Sequence, residues 1–123
     1  MAGIDWQHGV VELAHGAGGR SMAQLIEELF IAEFADPEAR GLEDQASLTL
    51  PGTAIAMSTD SFVISPLFFP GGDIGSLAVH GTVNDVAMSG ATPLYLSAGF
   101  ILEAGFKLAE LKTEVESLRA LTY

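Results

Sequence analysis

The sequence predicts an α/β domain in which helices pack on a β-sheet. Three observations lead to this. Apolar residues recur at helical spacing near both ends of the chain. Short β-type runs bounded by Gly and Pro occupy much of the middle. From residue 53 to 102 the element order reads strand, helix, strand, the pattern of a helical layer laid on a sheet.

Each element has a local reason. Residues 3–13 are mixed in character and are expected to be loosely ordered. His15-Gly16-Ala17-Gly18-Gly19-Arg20 is a flexible stretch directly before a helix. Ser21-Met22-Ala23-Gln24 fits the S-x-x-Q capping box, in which two side chains satisfy free backbone N–H groups. Met22, Leu25, Ile26, Leu29, Phe30 and Phe34 then fall on one face, predicting a helix over 22–35 that Asp36-Pro37 ends. Residues 36–45 read as an acidic loop. Strands are expected at 46–50 and 53–58, the second continuing to 64, with Pro51-Gly52 as the turn between them. After a loop over 65–72, Asp73 is a plausible N-cap for a helix over 74–89, closed by Gly90 and Pro93. A strand over 94–102 follows. A last helix over 107–121 places Leu108, Leu111, Val115, Leu118 and Leu121 on one stripe, most simply core. Phe68-Phe69-Pro70 reads as core or subunit interface.

Composition narrows the function. The 123 residues correspond to one domain. With 49% apolar and 17% charged residues the chain can bury a core and is not a disordered tail. Sixteen Asp and Glu against five Lys and Arg leave a net charge of −11, which argues against nucleic-acid binding and against docking on anionic membranes. With no cysteine, the chain supplies no disulfide, zinc–thiolate site, iron–sulfur cluster or thiol nucleophile. The most apolar segment, residues 94–102, is far too short to span a bilayer, and the start lacks a basic region followed by an apolar one. A soluble, cytoplasmic domain is expected, as one part of a longer protein.

The charge pattern points to a site. Between Arg40 and Lys107 there is no Lys or Arg, yet the span holds Glu43, Asp44, Asp60, Asp73, Asp85 and Glu103, several in apolar company. Burying an unpaired carboxylate costs several kcal/mol. These acids are therefore either exposed or neutralised from outside, and carboxylates are hard oxygen ligands suited to Mg²⁺ or Ca²⁺. Asp73 has a sufficient role as an N-cap. Asp44 reads equally as a solvated loop residue and Asp60 as a turn residue. Asp85 has Gly81 and Ala78 one and two turns before it, and such small residues suit close approach by a ligand, a neighbouring chain or the domain's own sheet. The glycines at 16, 18 and 19 could bind an anion through backbone N–H groups, but they match neither the P-loop nor the dinucleotide fingerprint, and a hinge explains them as well. His15 adjoins them as a candidate phosphate contact, whereas His8 and His80 read as structural or solvent-facing.

Taken together these segments carry a resemblance. His15-Gly-Ala-Gly-Gly19, Glu43-Asp44-Gln45-Ala46, the long run from Ser58 to Asp73, Gly81-Thr-Val-Asn-Asp-Val-Ala-Met-Ser-Gly-Ala91 and Tyr95-Leu-Ser-Ala-Gly-Phe-Ile-Leu-Glu103 resemble the N-terminal domain of the HypE family of hydrogenase-maturation factors. That family belongs to the PurM-like, AIR-synthase-related ATP-binding superfamily. The likeness covers about residues 10–120. It implies a PurM N-terminal-domain-like fold: a mixed β-sheet with helices packed on one side, dimerising through the sheet. The 123 residues would be the ATP-binding N-terminal domain, with ATP lying against a C-terminal domain outside this chain. It further implies Asp44, Asp60 and Asp85 as Mg²⁺ ligands beside Asn84, and the stretch containing His15, Gly16, Gly18 and Gly19 as a closing segment over nucleotide.

The implied reaction is an ATP-dependent carbamoyl dehydration. ATP phosphorylates the amide oxygen of a carbamoyl group borne on the sulfur of the protein's C-terminal cysteine. Loss of phosphate and of the N–H protons leaves a thiocyanate, whose cyano group goes to the iron of a nickel–iron hydrogenase. The implied partners are a second copy, a HypF-like carbamoyltransferase and the HypC–HypD complex. This chain lacks cysteine and the second domain, so it is expected to be inactive alone. Two alternatives stand beside this reading: another PurM-like enzyme of the thiamine-monophosphate-kinase or selenophosphate-synthetase type, and a non-catalytic acidic interaction module.

Overall fold

A computed structural model of the chain describes residues 2–35 and 43–122. Along it come a 3₁₀ turn at Leu13–Gly16, a first helix and a hairpin pairing Phe68–Phe69 with Gly72–Asp73. A central helix at Ile74–Met88 and a C-terminal helix at Leu108–Ala120 follow. The first helix runs continuously as Arg20–Leu25, Ile26–Ile31 and Ala32–Phe34, its middle part wound as a π-helix. The three helices pack together, and the C-terminal helix touches both others.

The core lies where the first and C-terminal helices meet the N-terminal segment. Val11, Leu25, Leu29, Leu108, Leu111 and Val115 form one cluster, none more than 5% exposed. Each such side chain contributes about 1.5–3 kcal/mol on burial. The predicted stripe holds at Leu108, Leu111, Val115 and Leu118, but Leu121 is 41% exposed, because the helix stops at Ala120 and its last turn overhangs the core.

The N-terminal segment is ordered, contrary to expectation. Asp5 Oδ1 accepts from the Gln7 and His8 N–H groups, and Gly9 N–H donates to the Asp5 carbonyl at 2.9 Å. Gly9 is required there: a Cβ would stand 2.4 Å from that same carbonyl. The next residues dock on the entry to the C-terminal helix. Val11 N–H donates to the Phe106 carbonyl, Leu108 N–H donates to the Gly9 carbonyl, and Val10 bridges Lys107 antiparallel. These bonds join residues about 95 positions apart, so no local pattern could announce them.

The first helix begins two residues earlier than expected, at Arg20, with Gly19 as its N-cap and no side-chain cap. The predicted capping box does not form. Gln24 instead donates its amide to the Ala2 carbonyl and to Glu28 Oε1. Asp36-Pro37 and most of the acidic loop, residues 36–42, lie outside the described residues. The central helix matches expectation closely. Asp73 Oδ1 accepts from Ser76 N–H at 2.8 Å and Ser76 Oγ returns the contact, a complete capping box.

The predicted strands need correction. Segments 46–50, 53–64 and 94–102 belong to no β-ladder among the described residues, where the two-residue hairpin is the sheet present, with register Phe68↔Asp73 and Phe69↔Gly72. The mixed helix-and-strand character remains, but the mixed sheet is not assembled within the described chain. Alternation marks a segment able to pair, whereas pairing needs a second backbone to satisfy its N–H and C=O groups. These segments leave Leu48, Ile55, Met57, Val63, Leu94 and Ile101 exposed.

Candidate functional site

The central helix lines a groove of about 1030 Å³. Val79, Thr82, Val83 and Val86 form its floor, and residues 46–60 and 91–97 form its walls. A hydrogen bond from Tyr95 Oη to the Thr49 carbonyl, 3.2 Å, ties the two walls together. The floor is largely apolar, while Ser58, Thr59, Asp60, Thr82 and Thr92 bring oxygen atoms to it.

Gly81 lets segment 58–64 approach that helix. A Cβ on Gly81 would lie 2.9 Å from Phe62 Cζ, so the ring occupies the space the glycine leaves. The close approach expected beside Asp85 is thus made by the domain's own chain, and the reading of that face as open to a ligand is corrected at Gly81. The same contact brings the segment bearing Asp60 onto the helix bearing Asp85.

The structure positions the expected acids as follows. Asp60 lines the groove and is exposed, with Oδ1 accepting from Ser61 N–H at 2.8 Å. Asn84 and Asp85 sit exposed near the end of the central helix. Asp44 is exposed in the segment after the undescribed loop, beside a Gln45-to-Glu43 hydrogen bond of 3.0 Å. These carboxylates are wet, so the desolvation argument that singled them out does not apply to the isolated chain. No group of three or more His, Asp or Glu side chains among the described residues is arranged to hold a metal ion. The donor chemistry suits Mg²⁺, since all four side chains offer hard oxygens. What the described chain lacks is a preassembled cage.

His15 has a structural occupation. Its Nδ1 accepts a hydrogen bond from Glu12 N–H at 2.8 Å, closing the 3₁₀ turn, and the ring lines a smaller cavity of about 460 Å³ with Val11, Met22, Ile26, Phe30 and Phe100. Gly16, Gly18 and Gly19 are exposed, and Gly18 adopts φ +76, a left-handed turn that favours glycine. The flexible entry expected before the helix is a defined turn followed by a left-handed glycine.

Sequence reasoning missed the one buried acid the structure does show among the described residues. Glu114 is 5% exposed, and burial pushes its carboxyl above the usual range. The signal was present: Glu114 lies between Leu111 and Leu118 on the stripe, directly before Val115.

The family model for AIR synthase related protein, N-terminal domain, matches residues 42–121. Carbamoyl dehydratase HypE of Azotobacter vinelandii is 60% identical over 120 residues, which cover 98% of this chain and 35% of that protein. Its counterpart in Cupriavidus necator is 61% identical over 116 residues, covering 94% of this chain and 33% of that protein. The chain thus spans about a third of the length of the curated relatives it matches. The crystal structure of hydrogenase maturation protein HypE in complex with ATP superposes with a TM-score of 0.83 at 53% identity, covering 89% of this chain and 32% of that one. No helix among the described residues is long and apolar enough to cross a membrane. With the family model matched over most of its length, the chain belongs to the AIR synthase related family, matching its N-terminal domain.

Proposed function

We propose that the chain is the ATP-binding N-terminal domain of a HypE-like carbamoyl dehydratase. The observation that carries this reading is the likeness, over nearly the whole chain, to HypE in complex with ATP. In this reading the groove over the central helix takes the nucleotide side of the site. Asp60 on the groove and Asn84 and Asp85 on the helix present oxygens to the metal–phosphate end, with Asp44 from the preceding segment. Mg²⁺ is commonly held by one or two carboxylates plus substrate phosphates, so separated aspartates suit it without a closed cage. When bound, it supplies charge neutralisation during phosphoryl transfer. The turn at His15 and the hinge at Gly16, Gly18 and Gly19 form the segment that closes over the nucleotide.

The reaction assigned to the whole protein is the dehydration of a carbamoyl group on a terminal cysteine sulfur to a thiocyanate, ATP removing the amide oxygen as phosphate. The cyano group is destined for a nickel–iron hydrogenase. A HypF-like carbamoyltransferase and the HypC–HypD complex are its upstream and downstream partners, in the cytoplasm. The 123 residues contain no cysteine, so alone they carry no carbamoylated thiol and are expected to be inactive. The exposed apolar side chains on the unpaired segments favour a homodimer in which a second copy completes the sheet.

Calorimetric titration of the full-length protein with Mg²⁺ and ATP tests the reading. Saturable binding that weakens about tenfold or more in Asp60→Ala and in Asp85→Ala supports it, each loss then being worth at least about 1.4 kcal/mol. Binding untouched by both substitutions rejects these residues as contacts, and absence of binding rejects the function.

A further inference from the structure

The nucleotide reading makes no use of Glu114, the acid that the C-terminal helix buries. Glu114 Oε2 accepts a hydrogen bond from Gly75 N–H at 2.9 Å. That N–H belongs to the first turn of the central helix, whose leading donors have no partner within the helix. Glu114 Oε1 is buried with no hydrogen-bond partner. The two helices meet closely at this point: a Cβ on Gly75 would stand 2.7 Å from the Glu114 carbonyl oxygen and 3.3 Å from Leu118 N. Beside it is a second carboxylate. Asp73, the N-cap of the central helix, uses Oδ1 to accept from Ser76 N–H and from Ser117 Oγ–H, each at 2.8 Å.

An ionised carboxylate with one oxygen shut away from water and from any donor is costly, and a proton on that oxygen removes the cost. Every influence but one favours that proton. Burial raises the Glu114 carboxyl, the Gly75 N–H pulls it back, and the nearby carboxylates of Asp73 and Glu110 raise it further. The charged groups acting on Glu114 are thus Asp73 from the hairpin end and Glu110 one turn earlier on its own helix, both acids. The central helix contributes the Gly75 N–H and its positive dipole end.

We propose that Glu114 holds a proton on its buried Oε1 and so forms a pH-sensitive latch between the C-terminal helix and the start of the central helix. In the closed form Glu114 carries the proton on Oε1, which leaves no bare charge there, while Oε2 keeps its bond to Gly75. Two adjoining carboxylates resist double ionisation. Loss of the proton leaves both charged at the helix crossing and loosens the contact that seats the central helix. The inference stands whether or not the groove binds nucleotide.

The sign follows from the raised value. The folded chain holds a proton that the unfolded chain has released, so the latch is fully effective below the ordinary glutamate range near 4.5. Its contribution declines as pH rises and is lost above the folded value. Urea unfolding of the 123-residue chain from pH 5 to 9, followed by circular dichroism, tests this against Glu114→Gln. Glutamine imitates the protonated acid, accepting from Gly75 through its oxygen and placing an uncharged amide where Oε1 stood. The general repulsion of a chain with net charge −11 acts on both proteins and cancels in the comparison. The unfolding constant of the parent should rise with pH relative to that of Glu114→Gln, by up to tenfold per pH unit inside the window. Parallel profiles would overturn the latch. If Glu114→Gln fails to fold, a carboxyl ¹³C titration of the parent decides: a Glu114 signal titrating above the ordinary range supports the latch, and one at or below it overturns it.

Discussion

Phe62 fills the space that Gly81 leaves open on the central helix, a substituted Cβ meeting the ring at 2.9 Å. This contact joins two parts of the candidate site that the sequence holds far apart. Asp60 lies two residues before Phe62, and Asp85 lies one helical turn after Gly81. A glycine inside a helix costs about 1 kcal/mol relative to alanine, so its presence there calls for a packing reason, and the Phe62 ring provides one.

Replacing Gly81 with valine should therefore displace the Phe62 ring and the segment bearing Asp60 without unwinding the helix. We expect circular dichroism of the variant to keep its helical signal. Its affinity for Mg²⁺–ATP in the full-length protein should fall about tenfold, the loss of about 1.4 kcal/mol of positioning. Unchanged affinity would separate the Phe62 contact from nucleotide binding.

Gly75 is the stricter glycine, since its nearest neighbour is a backbone atom that no side-chain rotation can move. A methyl group there would stand 2.7 Å from the Glu114 carbonyl oxygen and 3.3 Å from Leu118 N. Gly75→Ala should force the helices apart and destabilise the fold by about 1–3 kcal/mol despite the gain in helix propensity. Urea unfolding would measure it. A variant as stable as the parent would show that the crossing can relax.

What the sequence disclosed follows from which forces are local. The Asp73 cap and the stripe from Leu108 to Leu118 were legible because capping and helical periodicity act within a few residues. The docking of Val11 on Phe106 was not, because its bonds cross most of the chain. Ser21 has the composition of a cap, yet Gly19 takes that position while Gln24 turns to Ala2, a tertiary partner overriding a local motif. For the proposed site, scarcity of cations singled out Asp60 and Asp85 but mistook their surroundings. Apolar neighbours in sequence did not bury these acids, and the acid that is buried, Glu114, was marked instead by its place between Leu111 and Leu118 on the stripe of a charge-rich helix.

Leu111 tests the core. It is 1% exposed within the cluster formed with Leu25, Leu29 and Val115. Leu111→Ala should cost about 2–5 kcal/mol, the upper end applying if the helices fail to close on the cavity. Thermal unfolding of the chain would record it, and a loss well under 1 kcal/mol would mean that the first and C-terminal helices are not held together by this cluster.

The unpaired segments lead to the last expectation. Ile55, Met57 and Val63 on one side and Leu94 and Ile101 on the other are exposed, although β-branched and apolar residues of this kind are suited to a pleated, covered surface. A second copy laying its own segments alongside would satisfy the free backbone groups and cover these side chains together. Light scattering coupled to size exclusion should then give the mass of two 12.9 kDa chains. Val63→Lys and Ile101→Lys placed together should return it to one, because two buried ammonium groups without partners would outweigh the apolar gain. A parent that elutes as a single chain at high concentration would remove the dimer. The sheet would then have to be completed by another part of the full-length protein.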